Sequence, residues 1–224
     1  MSERVGRLIK KTIGKLPFFI RKIYTKRKKR EELFDYWTSP NDGNNNPTEY
    51  LKCRERSAFL LNLITKYLDK KDRVLEIGCN VGRNLNELFC AGFNNLSGVE
   101  INKNAIEIMK TVYPNMAQVI KIYQGPVENF IGSFEDDSFD SVYTMAVLEH
   151  IHTDSEFIFS HMARIARKIL VTIEDERGVS WRHFPRNYKK VFEDLGMRQI
   201  EEISLKQTKV EGLDKKFFAR VFKK

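Results

Sequence analysis

The chain of 224 residues is short of cysteine. Its three cysteines, Cys53, Cys79 and Cys90, make no C-x-x-C pair. That excludes a disulfide framework and a zinc knuckle, and it suits a reducing cytoplasm. No run approaches the roughly 20 apolar residues of a membrane-spanning helix. A general cationic surface is missing too, despite a formal net charge of +9. Residues 1–30 hold twelve Lys or Arg against Glu3 alone, a net of +11. The rest holds 27 basic and 29 acidic residues, a net of −2. Basic character therefore belongs to one segment, and the main body carries no cationic stripe for nucleic acid. An apolar share of 42% supports a packed core. The length suits one domain of about 150–200 residues with an appendage.

What is present is organised around residues 74–85, VLEIGCNVGRNL. Val74 to Ile77 reads as a buried strand, and a turn containing Gly78 and Gly82 follows. Leu85, Leu88 and Phe89 then fall at helical spacing, and Gly92 stops the helix. A strand, a tight turn and a helix form one side of a nucleotide-type crevice. Glycine lets the backbone approach a ligand closely, and the helix N-terminus offers free N–H groups. The pattern is E-x-G-x-x-x-G, not G-x-G-x-x-G, because Asn80 and Arg83 fill the later glycine positions. Asparagine is the non-glycine residue that best tolerates a left-handed backbone, so the turn survives Asn80.

A second strand over 95–102 places Glu100 22 positions after Gly78. There a carboxylate can accept both ribose hydroxyls of a nucleoside. The spacing then predicts a helix over 103–112, a third strand over 119–123 and a central strand over 142–144. A capping box, Thr153 to Glu156, opens a helix to about Lys168. A fifth strand over 169–173 runs into a polar-aromatic loop, 174–186. A helix from Tyr188 to Leu195 stops at Gly196, and 198–207 with 215–223 read as a closing strand pair. Upstream, Asn41 to Pro47 is a strong loop signal, and a helix runs from near Thr48 to about Leu68.

Two segments carry a family resemblance. The stretch Glu76-x-Gly78-x-x-x-Gly82 resembles motif I of the class I S-adenosylmethionine-dependent methyltransferases. The stretch from Asp136 through Phe139-Asp140 to Val147-Leu148-Glu149-His150 resembles the D-x-S-F-D-x-V and V-L-E-H segments of small-molecule, type 11-like members. The resemblance implies an α/β fold: a Rossmann-like, doubly wound, seven-stranded, mostly parallel sheet with a C-terminal antiparallel hairpin, plus N-terminal helices. With the basic amphipathic helix that the residues of 1–30 themselves indicate, it implies a helical cap or lid (31–70) and an S-adenosylmethionine-binding domain (71–224). For the cofactor it implies Glu76, Gly78, Cys79, Asn80, Gly82, Glu100, Ile101, Pro126, Val127, Thr144 and Met145. Pro126 stands where the family often has an adenine-contacting Asp, which leaves backbone groups near Val127 for the adenine edge.

On the acceptor side, His150 is the best candidate base, with Glu149 supporting it. The alternative for His150 is a cap at a helix end. Glu149 could instead share a metal with His150, but no metal is expected, because only these two are local and no further ligand is signalled. His152 reads as exposed and His161 as helix surface. Trp181, Arg182, His183 and Arg186 sit on the loop over the crevice and suit an anionic or glycosidic acceptor. By analogy with family members, Tyr36, Trp37, Tyr50 and Arg54 of the cap are further candidates, with ordinary packing as the alternative for each.

In residues 1–30, Val5, Leu8, Ile9, Ile13, Leu16, Ile20 and Ile23 keep helical spacing, with cations mostly between them and a division at Pro17. Such a helix suits an anionic membrane surface. Nucleic-acid phosphates, its own domain and an organelle import route are the other readings. The expected activity is O-methylation of a small or lipid-linked acceptor, such as a glycan precursor or a quinone-like lipid, in the cytoplasm or on the inner face of the membrane. One alternative is an RNA or other nucleic-acid methyltransferase. Against it, Thr144-Met145-Ala146-Val147 stands where base-amino methylases carry Asn/Asp-Pro-Pro-aromatic. The other alternative is a non-catalytic S-adenosylmethionine-binding module.

Overall fold

A computed structural model describes residues 28–40, 45–208, 210–213 and 215–224. The basic helix expected over 1–30 lies almost wholly outside the described residues. Seven strands form one sheet: β1 (Arg73–Ile77), β2 (Asn95–Glu100), β3 (Lys121–Gln124), β4 (Phe139–Met145), β5 (Ala166–Asp175), β6 (Arg198–Ser204) and β7 (Phe217–Lys223). Their order is β3-β2-β1-β4-β5-β7-β6. β1 to β5 are parallel, whereas β7 runs antiparallel to both β5 and β6. The expected seven-stranded sheet with its C-terminal antiparallel pair is therefore present.

Strand alternation explains the two cores. Val74, Tyr143, Ile169, Val171 and Val221 bury on one face, against Leu60, Ile64, Leu85 and Leu88. Leu75, Ile77, Val142, Leu170 and Phe222 bury on the other, against Ile158, Met162 and Phe192. A sheet covered on both faces needs strands that are apolar throughout, which is why β1 and β4 read as continuous apolar runs. The helices are α1 (Arg30–Thr38), α2 (Arg54–Ile64), α3 (Arg83–Cys90), α4 (Lys103–Val112), α5 (Pro114–Ala117), α6 (Phe157–Ile165) and α7 (Tyr188–Asp194). None of the described helices is long and apolar enough to cross a membrane.

Several boundaries move for local reasons. The helix expected over 48–68 is two pieces, a 3-10 turn at Pro47–Leu51 and then α2. Asn46 caps the first piece by accepting the Thr48 N–H at 3.1 Å, and Cys53 leaves helical geometry before the second. β3 starts later than expected because the Val119 and Ile120 N–H groups still bond to the Met116 carbonyl. The Thr153–Glu156 capping box does not form. His152 is the cap there, its Nδ1 accepting the Asp154 N–H, and the turn is 3-10. The long helix that box was to open is only α6, because Ala166 already pairs with Phe139 in the sheet. At the other end β6 stops at Ser204 and a 3-10 turn, Leu205–Gln207, follows.

The sheet order reverses between β1 and β4. Connections from these two strands leave in opposite directions, so a crevice opens beyond their C-terminal ends. β1 supplies the glycine turn there and β4 supplies residues 146–150.

Candidate active site

The turn after β1 is held in a conformation that only certain residues adopt. Gly78 and Gly82 have φ +73° and +71°, and Asn80 has φ 49°. Asn80 is stabilised there by its own side chain, which accepts the Val81 N–H at 2.8 Å. The Gly78 and Cys79 N–H groups both donate to the Val99 carbonyl, at 2.8 and 3.1 Å, which presses the turn onto β2. A Cβ on Gly78 would lie 2.5 Å from Val147 Cγ2. The turn is thus a backbone cradle with no room for a side chain on that side.

Glu100 closes β2 beside this cradle. Its Oε2 accepts the Asn80 N–H and its Oε1 the Asn102 N–H, each at 2.7 Å. Each carboxylate oxygen accepts more than one hydrogen bond, so both retain capacity for a ribose diol. Burial pushes the Glu100 carboxyl up to about 7, against the pull of those backbone N–H groups. Glu76 is also raised to about 7 by burial, and Asn84 donates to its Oε1 at 2.7 Å.

Asn84 belongs to a polar chain that sequence reasoning did not assign. The Arg83 guanidinium donates to Ser57 Oγ at 2.8 Å and to the Tyr50 carbonyl at 2.9 Å. Ser57 donates to Asn84 Oδ1 at 2.7 Å. The cap is in this way hydrogen-bonded to the cradle. Arg83 and Asn84 both line the crevice. Their position directly after Gly82, in an otherwise apolar helix face, was the available signal.

The crevice is lined by Glu76, Gly78, Cys79, Asn80, Glu100, Ile101, Pro126, Val127 and Met145, all expected. Gly82 stands at the head of α3 beside Met109. Thr144 is fully buried and is not part of the lining; Ala146 and Val147, one and two residues past β4, take that place. Pro126 starts a 3-10 turn at Val127–Asn129, which puts Val127 against the crevice.

Beside the crevice two distant segments meet, and of the acceptor residues expected from them only Trp37 is part of the lining. Tyr36 and Trp181 meet edge to face at 4.9 Å, and the Arg182 guanidinium lies 5.4 Å from the Trp37 ring. Arg182 also donates to Tyr36 Oη at 3.1 Å. The Trp37 ring packs on His150 at 4.6 Å. Tyr36, Trp37, Trp181 and Arg182 therefore form one cluster, which brings together candidates that stood in two separate segments of the sequence. Arg186 does not join it. Its donors go to Glu156 and to the carbonyls of Leu148, Ile151 and Phe184, so it clasps the loop. Arg54 is exposed and outside the lining; Tyr50 and Arg56 are within it. His152 is half-buried and lines the crevice rather than facing solvent, and half-buried His161 packs beside Arg164.

His150 is half-buried against the crevice, and His183 brings a second imidazole to it, the ring centroids 4.7 Å apart. Burial, with His183 and Arg182 nearby, drives the His150 imidazole well below its ordinary value, which keeps it neutral. Glu149 is raised well above the usual carboxylate range by burial and by Glu174 beside it. Glu174 is a residue that sequence reasoning left in a polar loop. Its Oε2 accepts the Val147 and Leu148 N–H groups, both at 2.9 Å, and so shapes the turn that presents Glu149 and His150.

The left-handed cradle, the absence of space for a Cβ at Gly78 and the buried diol acceptor Glu100 all fit an adenosyl cofactor. Comparison with known proteins agrees. Residues 75–169 match the family model described as a methyltransferase domain. Solved structures share the fold at low identity. A methyltransferase of Haloferax volcanii, solved in complex with the Trm112 methyltransferase activator, is 14% identical with a TM-score of 0.67. That match covers 87% of this chain and 97% of that one. A Leishmania major S-adenosylmethionine-dependent methyltransferase is 15% identical with a TM-score of 0.64, covering 87% of this chain and 82% of that one. One from Archaeoglobus fulgidus is 18% identical with a TM-score of 0.58, covering 76% and 94%. A comparison with curated proteins gives no match.

Proposed function

From the premise that the chain is a class I, Rossmann-like methyltransferase using S-adenosylmethionine, we propose that it methylates an oxygen of a small or lipid-linked acceptor. A glycan precursor or a quinone-like lipid fits best. The observation that carries this reading is the side of the crevice where Trp37 packs on His150, next to Arg182 among three aromatic rings. Aromatic faces suit a sugar or ring, and a guanidinium suits an anionic group on it.

When bound, the cofactor supplies a methyl group already activated by its sulfonium. The residues of the chain need only bind, align and keep water out, and alignment can lower the barrier by roughly 7–11 kcal/mol. The glycine turn and Glu100 hold the nucleoside. Trp37 lines the crevice from the cap. The His150 Nδ1 is fixed by the Arg182 carbonyl at 3.0 Å, which leaves Nε2 to meet the acceptor hydroxyl and its proton.

Residues 1–30 would hold the enzyme on an anionic membrane surface in the cytoplasm. Apolar spacing and a net charge of +11 coincide there, while the remainder is nearly neutral. Acyl-layer burial and roughly 1 kcal/mol per basic residue near the surface add. Two measurements test the reading. The full chain should co-sediment with anionic vesicles, and a chain starting at Glu31 should not; high salt should weaken attachment without abolishing it. Radiolabelled methyl from S-adenosylmethionine, given to a cell extract, should enter nuclease-resistant lipid or glycan fractions. Label in RNA, with no difference between the two chains on vesicles, would hand the basic arm to nucleic acid.

A further inference from the structure

We propose that Glu149, His150 and His183 form a site for one divalent transition-metal ion, with open coordination positions for oxygen donors of the acceptor. The role given to the acceptor rests on the reading of the crevice above; the ion site itself rests on the side chains alone. One carboxylate oxygen and two imidazole nitrogens lie within 4.8 Å of one another. Glu149 Oε1 is 3.7 Å from His150 Nε2 and 3.8 Å from His183 Nε2. An ion bonded at about 2.0–2.2 Å holds its donors roughly 3–4 Å apart, so both glutamate–histidine pairs are already in range and the widest pair, within 4.8 Å, needs to close by about 1 Å.

The outer contacts of this group are those of metal ligands. A metal-binding histidine typically uses its other nitrogen to bond a carbonyl, carboxylate or water, which fixes the ring and its tautomer. His150 meets that requirement through Nδ1 and the Arg182 carbonyl at 3.0 Å. A carbonyl only accepts, so the proton is on Nδ1 and the lone pair on Nε2. His183 meets it through Nδ1 and Ser180 Oγ. Glu149 is fixed from behind, its Oε2 accepting the Asp175 N–H. Both Nε2 atoms and Glu149 Oε1 thus lie together, with the other polar atom of each side chain engaged elsewhere.

Charge argues the same way. Glu149 is 3% exposed, and among the described residues its basic neighbours within 4 Å are these two histidines, of which His150 is neutral. A buried carboxylate without a cation is costly, and a divalent ion removes that cost. Access remains, since the two imidazole side chains keep 13% and 19% of their surface and His150 lines the crevice. Two imidazoles with one carboxylate suit zinc or manganese rather than magnesium or calcium, which prefer all-oxygen sites. With the ion bound, His150 Nε2 is a ligand and no longer the base; the three protein donors leave positions for a hydroxyl oxygen, whose proton is lost more readily to water when the oxygen is metal-bound.

The test is calorimetric titration of the full chain, stripped with chelator, with ZnCl2, MnCl2 and MgCl2. One zinc per chain is expected, with magnesium at least about 100-fold weaker. His183→Ala, on the surface loop, should weaken zinc at least about 100-fold, and Ser180→Ala about tenfold through ring orientation. His150→Ala repeats the test at the second ligand should the first variant unfold. The same samples are titrated with S-adenosylmethionine, and its affinity should stay within about twofold in the Ser180 and His183 variants. Zinc binding absent in the unaltered chain, or unchanged in folded His183→Ala, overturns the ion site. Failure of S-adenosylmethionine to bind the unaltered chain would instead strike the methyltransferase reading and leave the ion titration standing.

Discussion

Glu100 and Asn80 are joined by a 2.7 Å hydrogen bond from the Asn80 N–H to Glu100 Oε2. The acid that closes β2 and the non-glycine residue of the turn are therefore one unit. A change in either moves the other. Glu100→Gln keeps the shape but turns one acceptor into an NH2 donor, which must face either a backbone N–H or the ribose. S-adenosylmethionine affinity should fall at least tenfold, about 1.4 kcal/mol, by titration calorimetry. An unchanged affinity would remove Glu100 from the ribose site.

The raised carboxyls predict a pH dependence of the cofactor-free protein. Glu76 and Glu100 are each held at about 7 by burial, against an ordinary value of 4.5. A folded value above the unfolded one means that the folded state binds more protons in that window. Stability should therefore fall as pH rises from about 4.5 to about 7, by on the order of 3 kcal/mol per group. Asp140 and Glu201 are lowered instead and stabilise above their ordinary values, so their effect is complete before this window ends. The check is the melting temperature at pH 5 and pH 8 at constant salt. Glu76→Gln should flatten the difference; an unaltered slope would show that Glu76 does not titrate there.

Gly78→Ala tests the cradle. The left-handed φ of +73° costs a side chain about 1 kcal/mol, and the new Cβ overlaps Val147 Cγ2 at 2.5 Å. Overlap adds about 1–3 kcal/mol. Urea unfolding should show a loss of about 2–4 kcal/mol. Gly78→Ala with Val147→Ala should recover the overlap part and leave the backbone part. If Val147→Ala gives no recovery, the two residues do not share the contact.

Arg186→Lys should destabilise rather than alter acceptor binding. Lysine cannot span three carbonyls and Glu156 at once, and buried carbonyls left unpaired cost about 1–3 kcal/mol in sum. Unfolding free energy should fall by that amount. A raised acceptor KM with unchanged stability would return Arg186 to the acceptor.

The sequence by itself determined the sheet and the cofactor side. Both are written in local patterns: apolar runs at β1 and β4, glycines at left-handed positions, and an acid at the end of β2. Asn80 was legible for the same reason, because its left-handed φ is a property of the residue. Tertiary structure decided the acceptor side, where contacts join residues far apart in the chain. Nothing local to His183 shows that its ring meets Glu149 and His150, or that Tyr36 packs on Trp181. Arg186 and Arg182 are the same residue type four positions apart, yet one faces backbone carbonyls and the other an aromatic cluster. Which of them does which depends on how the loop folds over residues 148–151. That path is set by buried Glu174, which collects the N–H groups of Val147 and Leu148 from across the sheet.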